Sequence, residues 1–180
     1  EKEAAAKEEQ ERKAKEEQES RARRRQRAAA AAEALGAIDP DAYRSFNLVV
    51  GDNRNVFHVA NRARADRIAV EPFPDGLSML TSQEINDRRN ARIEGFLSKF
   101  KKATPPDPDT GDWTAWRAIL ADGRTDASAG PSSAMCIGSD WGFGTVSSTL
   151  LALPAPGAED PSGIYLFADG RPDQTEYESV

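Results

Sequence analysis

The first 27 residues contain no Val, Ile, Leu, Met, Phe, Trp, Tyr or Cys; their only apolar members are Ala4, Ala5, Ala6, Ala14 and Ala22. A segment without large apolar side chains has almost nothing to bury, so the core must come from the rest of the 180-residue chain. That length suits one ordinary domain and a tail. The charge divides in the same place. Residues 1–27 hold ten Lys or Arg and eight Glu, so residues 28–180 hold 14 of the 24 basic and 22 of the 30 acidic residues. An acidic body is a poor partner for nucleic acid or an anionic membrane, because affinity for phosphate backbones comes from Lys and Arg. Nucleic acid is therefore not an expected partner.

Residues 1–35 are rich in Ala, Glu, Lys, Arg and Gln with no Gly or Pro before Gly36, which predicts a long charged helix. Glu3 with Lys7, Glu9 with Lys13 and Glu17 with Arg21 stand in the favourable i,i+4 order, each worth about 0.2–0.5 kcal/mol. No Leu, Ile or Val seam supports a coiled coil over residues 1–27. The Glu-Ala-Ala-Ala-Lys of residues 3–7 matches a semi-rigid helical spacer. Arg21, Arg23, Arg24, Arg25 and Arg27 form a basic block, read as a solvated end of that helix or as a contact for an acidic partner. Ala28 to Leu35 turns apolar, so docking is expected only there, with Gly36 as a C′ residue.

Residues 36–180 read as a second, globular region. Phe46–Val50 and Val56–Val59 flank the turn chemistry of Gly51–Asn55 and predict a β-hairpin. Further strands are expected at Arg67–Val70 and Gly76–Thr81, with Pro72 and Pro74 between them barring regular pairing. Asn86 or Asp87 is the expected cap of a helix whose Ile93, Phe96, Leu97 and Phe100 fall at i, i+3, i+4 and i+7, closed by Lys99, Lys101 and Lys102. Asp112 is expected to cap a short helix bearing Trp113, Trp116 and Leu120, with both tryptophans in the core. Strands are predicted at Phe143–Leu153 and Gly163–Ala168. In the first of these, Thr145, Ser147 and Thr149 would line a polar slot while Val146, Ser148 and Leu150 pack. Strands, helices, then strands again imply an α+β domain.

The order of segments resembles the NRDE family, also called the transport and Golgi organisation protein 2 family. Asp41-Ala42-Tyr43-Arg44-Ser45-Phe46-Asn47-Leu48-Val49-Val50-Gly51-Asp52 carries the resemblance. So do Gly76-Leu77-Ser78-Met79-Leu80-Thr81, Ile85-Asn86-Asp87 and Ala91-Arg92-Ile93. Ala134-Met135-Cys136-Ile137, Gly144-Thr145-Val146-Ser147-Ser148-Thr149-Leu150 and Leu166-Phe167-Ala168-Asp169-Gly170 follow in order. The resemblance implies an incomplete αββα sandwich of the amino-terminal-nucleophile hydrolase type, preceded by the charged helix. In that fold an amino-terminal cysteine attacks an amide while its own amine serves as base. This chain begins at Glu1, has Cys136 as its single cysteine and lacks Asn-Arg-Asp-Glu after a first strand, so no catalytic residue is carried over. Ser82 stands where family members carry an Asn that suits an oxyanion donor, and Val146 where they carry Arg.

The resemblance thus leaves Ser82, Asn86, Thr145 and Ser147 as candidate ligand-binding residues. Two functions are implied. One is non-catalytic handling of a small ligand, haem or an acyl lipid; the other is a fragment of an amide hydrolase whose nucleophile is missing. His58 as a haem ligand gives way to an ordinary hydrogen-bonded histidine, and Cys136 as a nucleophile to a buried structural thiol. No phosphate loop, dinucleotide fingerprint or His-Glu-x-x-His motif is present, and Pro105, Pro106 and Pro108 break the calcium-loop spacing of Asp107, Asp109 and Asp112. No cofactor or metal is expected. The apolar runs are far shorter than the ~20 residues of a membrane span, and no secretory leader is read, so the expected compartment is the cytoplasm.

Overall fold

The computed structural model describes residues 9, 12, 13, 15, 27–138, 142–158 and 162–180. Arg21, Arg23, Arg24 and Arg25 lie outside the described residues, as do most of the expected i,i+4 pairs; Glu9 and Lys13 form theirs at 2.8 Å. No helix among the described residues is long and apolar enough to cross a membrane. The chain divides into two compact units, Glu1–Phe73 and Pro74–Val180. The α+β class is borne out. Among the described residues three helices accompany two antiparallel three-stranded sheets.

In the first unit, helix α1 (Arg27–Gly36) lies on a sheet of β1 (Phe46–Gly51), β2 (Val56–Asn61) and β3 (Ala69–Pro72), in that order. The expected hairpin forms, with Phe46 opposite Asn61 and Val49 opposite His58. Asp52 shapes its turn by accepting the backbone N–H groups of Arg54 and Asn55, and its second oxygen accepts Ala28 N–H at 3.2 Å, tying α1 to the hairpin. Burial alone would raise the Asp52 carboxyl. The three backbone donors and the nearby Arg54 charge outweigh burial and hold it below its ordinary value. Ala28 and Ala32, one turn apart, are the buried face of α1, and Ala32 joins Val59 and Ile68 in the core. Docking of the helix through its apolar end is thus as expected.

Two expectations shift. The third strand runs Ala69–Pro72 rather than Arg67–Val70, and Pro72 belongs to it. Pro72 stands opposite Phe57 at the end of an edge strand, and Phe73 N–H makes the next bond to Val56 O, so the missing proline donor falls between ladder bonds. Gly36 is the last residue of α1 without positive φ, not a left-handed C′ residue. Its lack of a side chain serves close approach instead: a Cβ there would sit 2.7 Å from Val70 Cγ2.

In the second unit, α2 (Ala91–Lys102) buries the expected stripe of Ile93, Phe96, Leu97 and Phe100. Its cap is Asn90, not Asn86 or Asp87. The Asn90 side chain accepts the N–H groups of Arg92 and Ile93, which the helix itself cannot satisfy. Helix α3 (Thr114–Leu120) packs on α2, with Trp116 edge-on to Phe100 at 5.3 Å. The cap of α3 is Trp113 rather than the expected Asp112, which stands one residue earlier and accepts Thr114 N–H; Trp113 is buried as expected while Trp116 is only half-buried. Strands β4 (Ser148–Ala152), β5 (Ile164–Ala168) and the two-residue β6 (Glu178–Ser179) form the second sheet, shorter than the expected Phe143–Leu153 and Gly163–Ala168. Leu150 and Ala168 are buried on its inner face, and Leu151 opposite Tyr165 is exposed. The strand expected at Gly76–Thr81 is absent, because that segment bonds to Asn86 rather than to a neighbouring strand.

Candidate functional site

The four residues singled out from sequence sit in the second unit in three settings. Asn86 adopts left-handed φ (+58°), which asparagine tolerates better than most residues. Its Oδ1 accepts Met79 N–H at 2.8 Å, its own N–H donates to Met79 O at 2.8 Å, and Nδ2 donates to Ser78 Oγ. Asn86 therefore closes the loop in which Ser82 stands exposed. Thr145 precedes β4 and exchanges two bonds with Ile137, accepting its N–H on Oγ1 at 2.9 Å and donating its own backbone N–H to Ile137 O at 3.0 Å. Ser147 is exposed, and Val146 is exposed rather than packed. No hydrogen bond among the described residues joins Asn86 to Thr145.

The segment Ala134–Ile137, held by Thr145 on one side, is held on the other by Asp122, whose backbone carbonyl accepts the N–H groups of Met135 and Cys136. Cys136 is buried, and its thiol donates to Asp173 Oδ1 at 3.2 Å. Arg171 grips the same carboxylate with Nε and Nη2 at 3.0 and 2.6 Å. Burial, together with the Asp173 carboxylate, pushes the thiol above its ordinary range against the opposing pull of Arg171. A thiol held protonated is a poor nucleophile. This arrangement matches the expected structural cysteine.

Sequence reading missed the charged hub beside it. The Asp122 side chain is 7% exposed and accepts Lys99 Nζ at 3.0 Å and Arg124 Nε and Nη2 at 2.8 and 2.6 Å. The Arg124 bonds are the largest influence. Despite burial, they and Lys99 hold the carboxyl far below the usual carboxylate range. A group depressed in the folded state contributes stability above its unfolded value, near 4, and loses it as pH falls through the folded value. Asp122→Asn should therefore cost about 1–2 kcal/mol at pH 7. The difference from the parent should shrink below pH 4; urea titrations at pH 7 and pH 3 measure both, and a pH-independent gap would refute the charge hub.

In the first unit His58 is buried, with Nε2 bonded to Asn47 Oδ1 at 2.8 Å. That nitrogen is committed within the sheet, so His58 does not fit a haem-iron ligand. A groove of about 540 Å³ lies between α1 and β3. Ala29, Ala32, Phe57, Ile68 and Val70 supply apolar walls, and Glu33, Arg67 and Glu71 bring charge to the same lining. None of these residues could be grouped from sequence, because they come from a helix, a loop and two strands. Comparisons with protein-family models, with curated proteins and with solved structures find no match to this chain.

Proposed function

We propose that this chain is a non-catalytic small-ligand handling protein of the NRDE type, that its ligand class is the acyl lipid rather than haem, and that it works in a reducing compartment. The carrying observation is the groove between α1 and β3. Its volume of about 540 Å³ falls within the ~300–1,000 Å³ of small-molecule sites, and an apolar wall with a few charges suits a chain with a polar head. Gly36 allows α1 and β3 to approach at one end of the groove, so its width follows from that contact. The state of Cys136 supports the non-catalytic reading, since the sequence's single thiol is buried and protonated.

Titration with saturated fatty acids of eight to fourteen carbons tests the proposal. Each buried methylene contributes about 0.8 kcal/mol, so two more carbons should tighten binding roughly tenfold until the groove is filled. Ala29→Trp, which fills the groove from the helix side, should abolish binding. Affinity independent of chain length, or unchanged in Ala29→Trp, would overturn the proposal.

A further inference from the structure

The first unit has a second cavity of different chemistry, about 340 Å³, at the end of the sheet where β1 begins and β2 ends. Phe46 and Asn61 pair there, so the residues leading into β1 and those leaving β2 diverge from one point and enclose the space. Its lining includes Tyr43, Arg44, Ser45, Arg62 and Arg64, with Asp41 as the only acid. The guanidiniums of Arg44 and Arg64 bring positive charge to this lining on a chain of net charge −6. Among the described residues the guanidiniums of Arg44 and Arg64 have no ion-pair partner.

The scaffold beneath them is built rather than loose. Asn61 is buried, and its Nδ2 donates to the carbonyls of Pro40 and Tyr43 at 2.9 and 3.1 Å, with a longer contact to Arg44 O. The incoming strand leader is thus clamped to the outgoing one. Ala65 N–H closes a turn onto Arg62 O, and Arg64 within it has φ +63°. These bonds hold both backbone segments that carry the arginines. Arginine's planar fork matches the paired oxygens of an oxyanion, and several forks around one polar cavity favour a dianion over a monoanion.

We propose that this cavity binds a phosphate monoester group, either free or as the head of a larger molecule. The site is separate from the groove between α1 and β3 and does not depend on its occupant. Calorimetric titration of the full chain at low salt with inorganic phosphate and with glycerol 3-phosphate tests it. Saturable binding is expected for both, with none for glycerol. The double variant Arg44→Ala/Arg64→Ala, at two exposed positions, should weaken binding roughly tenfold or more with an unchanged circular dichroism spectrum. Arg88→Ala, in the other unit, should leave it unaltered. Phosphatidic acid vesicles then separate the sources: binding to vesicles as well as free probes identifies a lipid headgroup, and binding to free probes alone a soluble phosphate ester. No saturable binding of either free probe, equal binding by the double variant, or binding to vesicles alone would overturn the proposal.

Discussion

Replacing Ile93 with alanine should lower stability by about 3–4 kcal/mol, a typical cost for emptying a well-packed aliphatic site. Ile93 is 0% exposed and stands with Phe96, Leu97 and Phe100 on the single buried stripe of α2. Removing its side chain leaves a cavity that a helix fixed by the Asn90 cap and by the Phe100–Trp116 contact cannot collapse to fill. The expected result is a fall in melting temperature of roughly 2–4 °C per kcal/mol, followed in the near-ultraviolet signals of Trp113 and Trp116. Lys101→Ala, an exposed change on the same helix, serves as the control and should stay within ~0.5 kcal/mol. A loss below 1 kcal/mol for Ile93→Ala would mean that α2 does not pack as described.

Asn61→Ala should cost about 2–3 kcal/mol, because one buried amide serves the carbonyls of Pro40 and Tyr43 and approaches that of Arg44. Truncation leaves acceptors without their donor, a penalty of about 1–3 kcal/mol for each group that water cannot reach. Asn61→Asp should be worse still. It keeps the shape but places carboxylate oxygen against carbonyl oxygen, and its deficit should grow as pH rises through the carboxyl's titration. Urea unfolding of both variants at pH 4 and pH 7 measures this. Equal stability of Asn61→Asp at the two pH values would show that the amide hydrogens are not what holds the clamp.

Much of the local structure was legible because its causes are local. The turn chemistry of Gly51–Asn55 between two apolar runs reads directly as a hairpin, and Asp52 at its start does what an aspartate in such a turn can do. The i, i+3, i+4, i+7 spacing of α2 reads as a buried stripe for the same reason. The errors lie where the choice depends on distant partners. Asn86, Asp87 and Asn90 are comparable capping residues, and Asn90 caps α2 because Asn86 is engaged with Ser78 and Met79. Gly76–Thr81 has a strand-like composition but its bonding is with that asparagine. Pro72 looked like a barrier to pairing, and its place at the end of an edge strand makes it harmless.

The candidate sites were less legible than the elements. Thr145 and Asn86 are candidates through the family resemblance, and both spend hydrogen bonds on fixing backbone. Asp122 carries no motif, since Lys99 lies 23 residues before it and the backbone groups its carbonyl holds, those of Met135 and Cys136, belong to a later loop. Arg44 is likewise separated from Arg62 and Arg64 by the whole hairpin.

What the sequence by itself determined is where burial can occur and with what period. A stretch of 27 residues whose only apolar members are five alanines cannot make a core, an alanine face can dock only where its charges end, and a 3.6-residue stripe must lie against something. What only the tertiary structure decided is which polar groups meet. Strand pairing in the first unit carries Arg44 to Arg62 and Arg64 and places Asn61 under three carbonyls, and loop closure in the second brings Lys99 and Arg124 to Asp122. The reason is physical: hydrophobic burial is non-directional and survives in a one-dimensional pattern, whereas hydrogen bonds and ion pairs act over a few ångströms and exist only once the fold has set those distances.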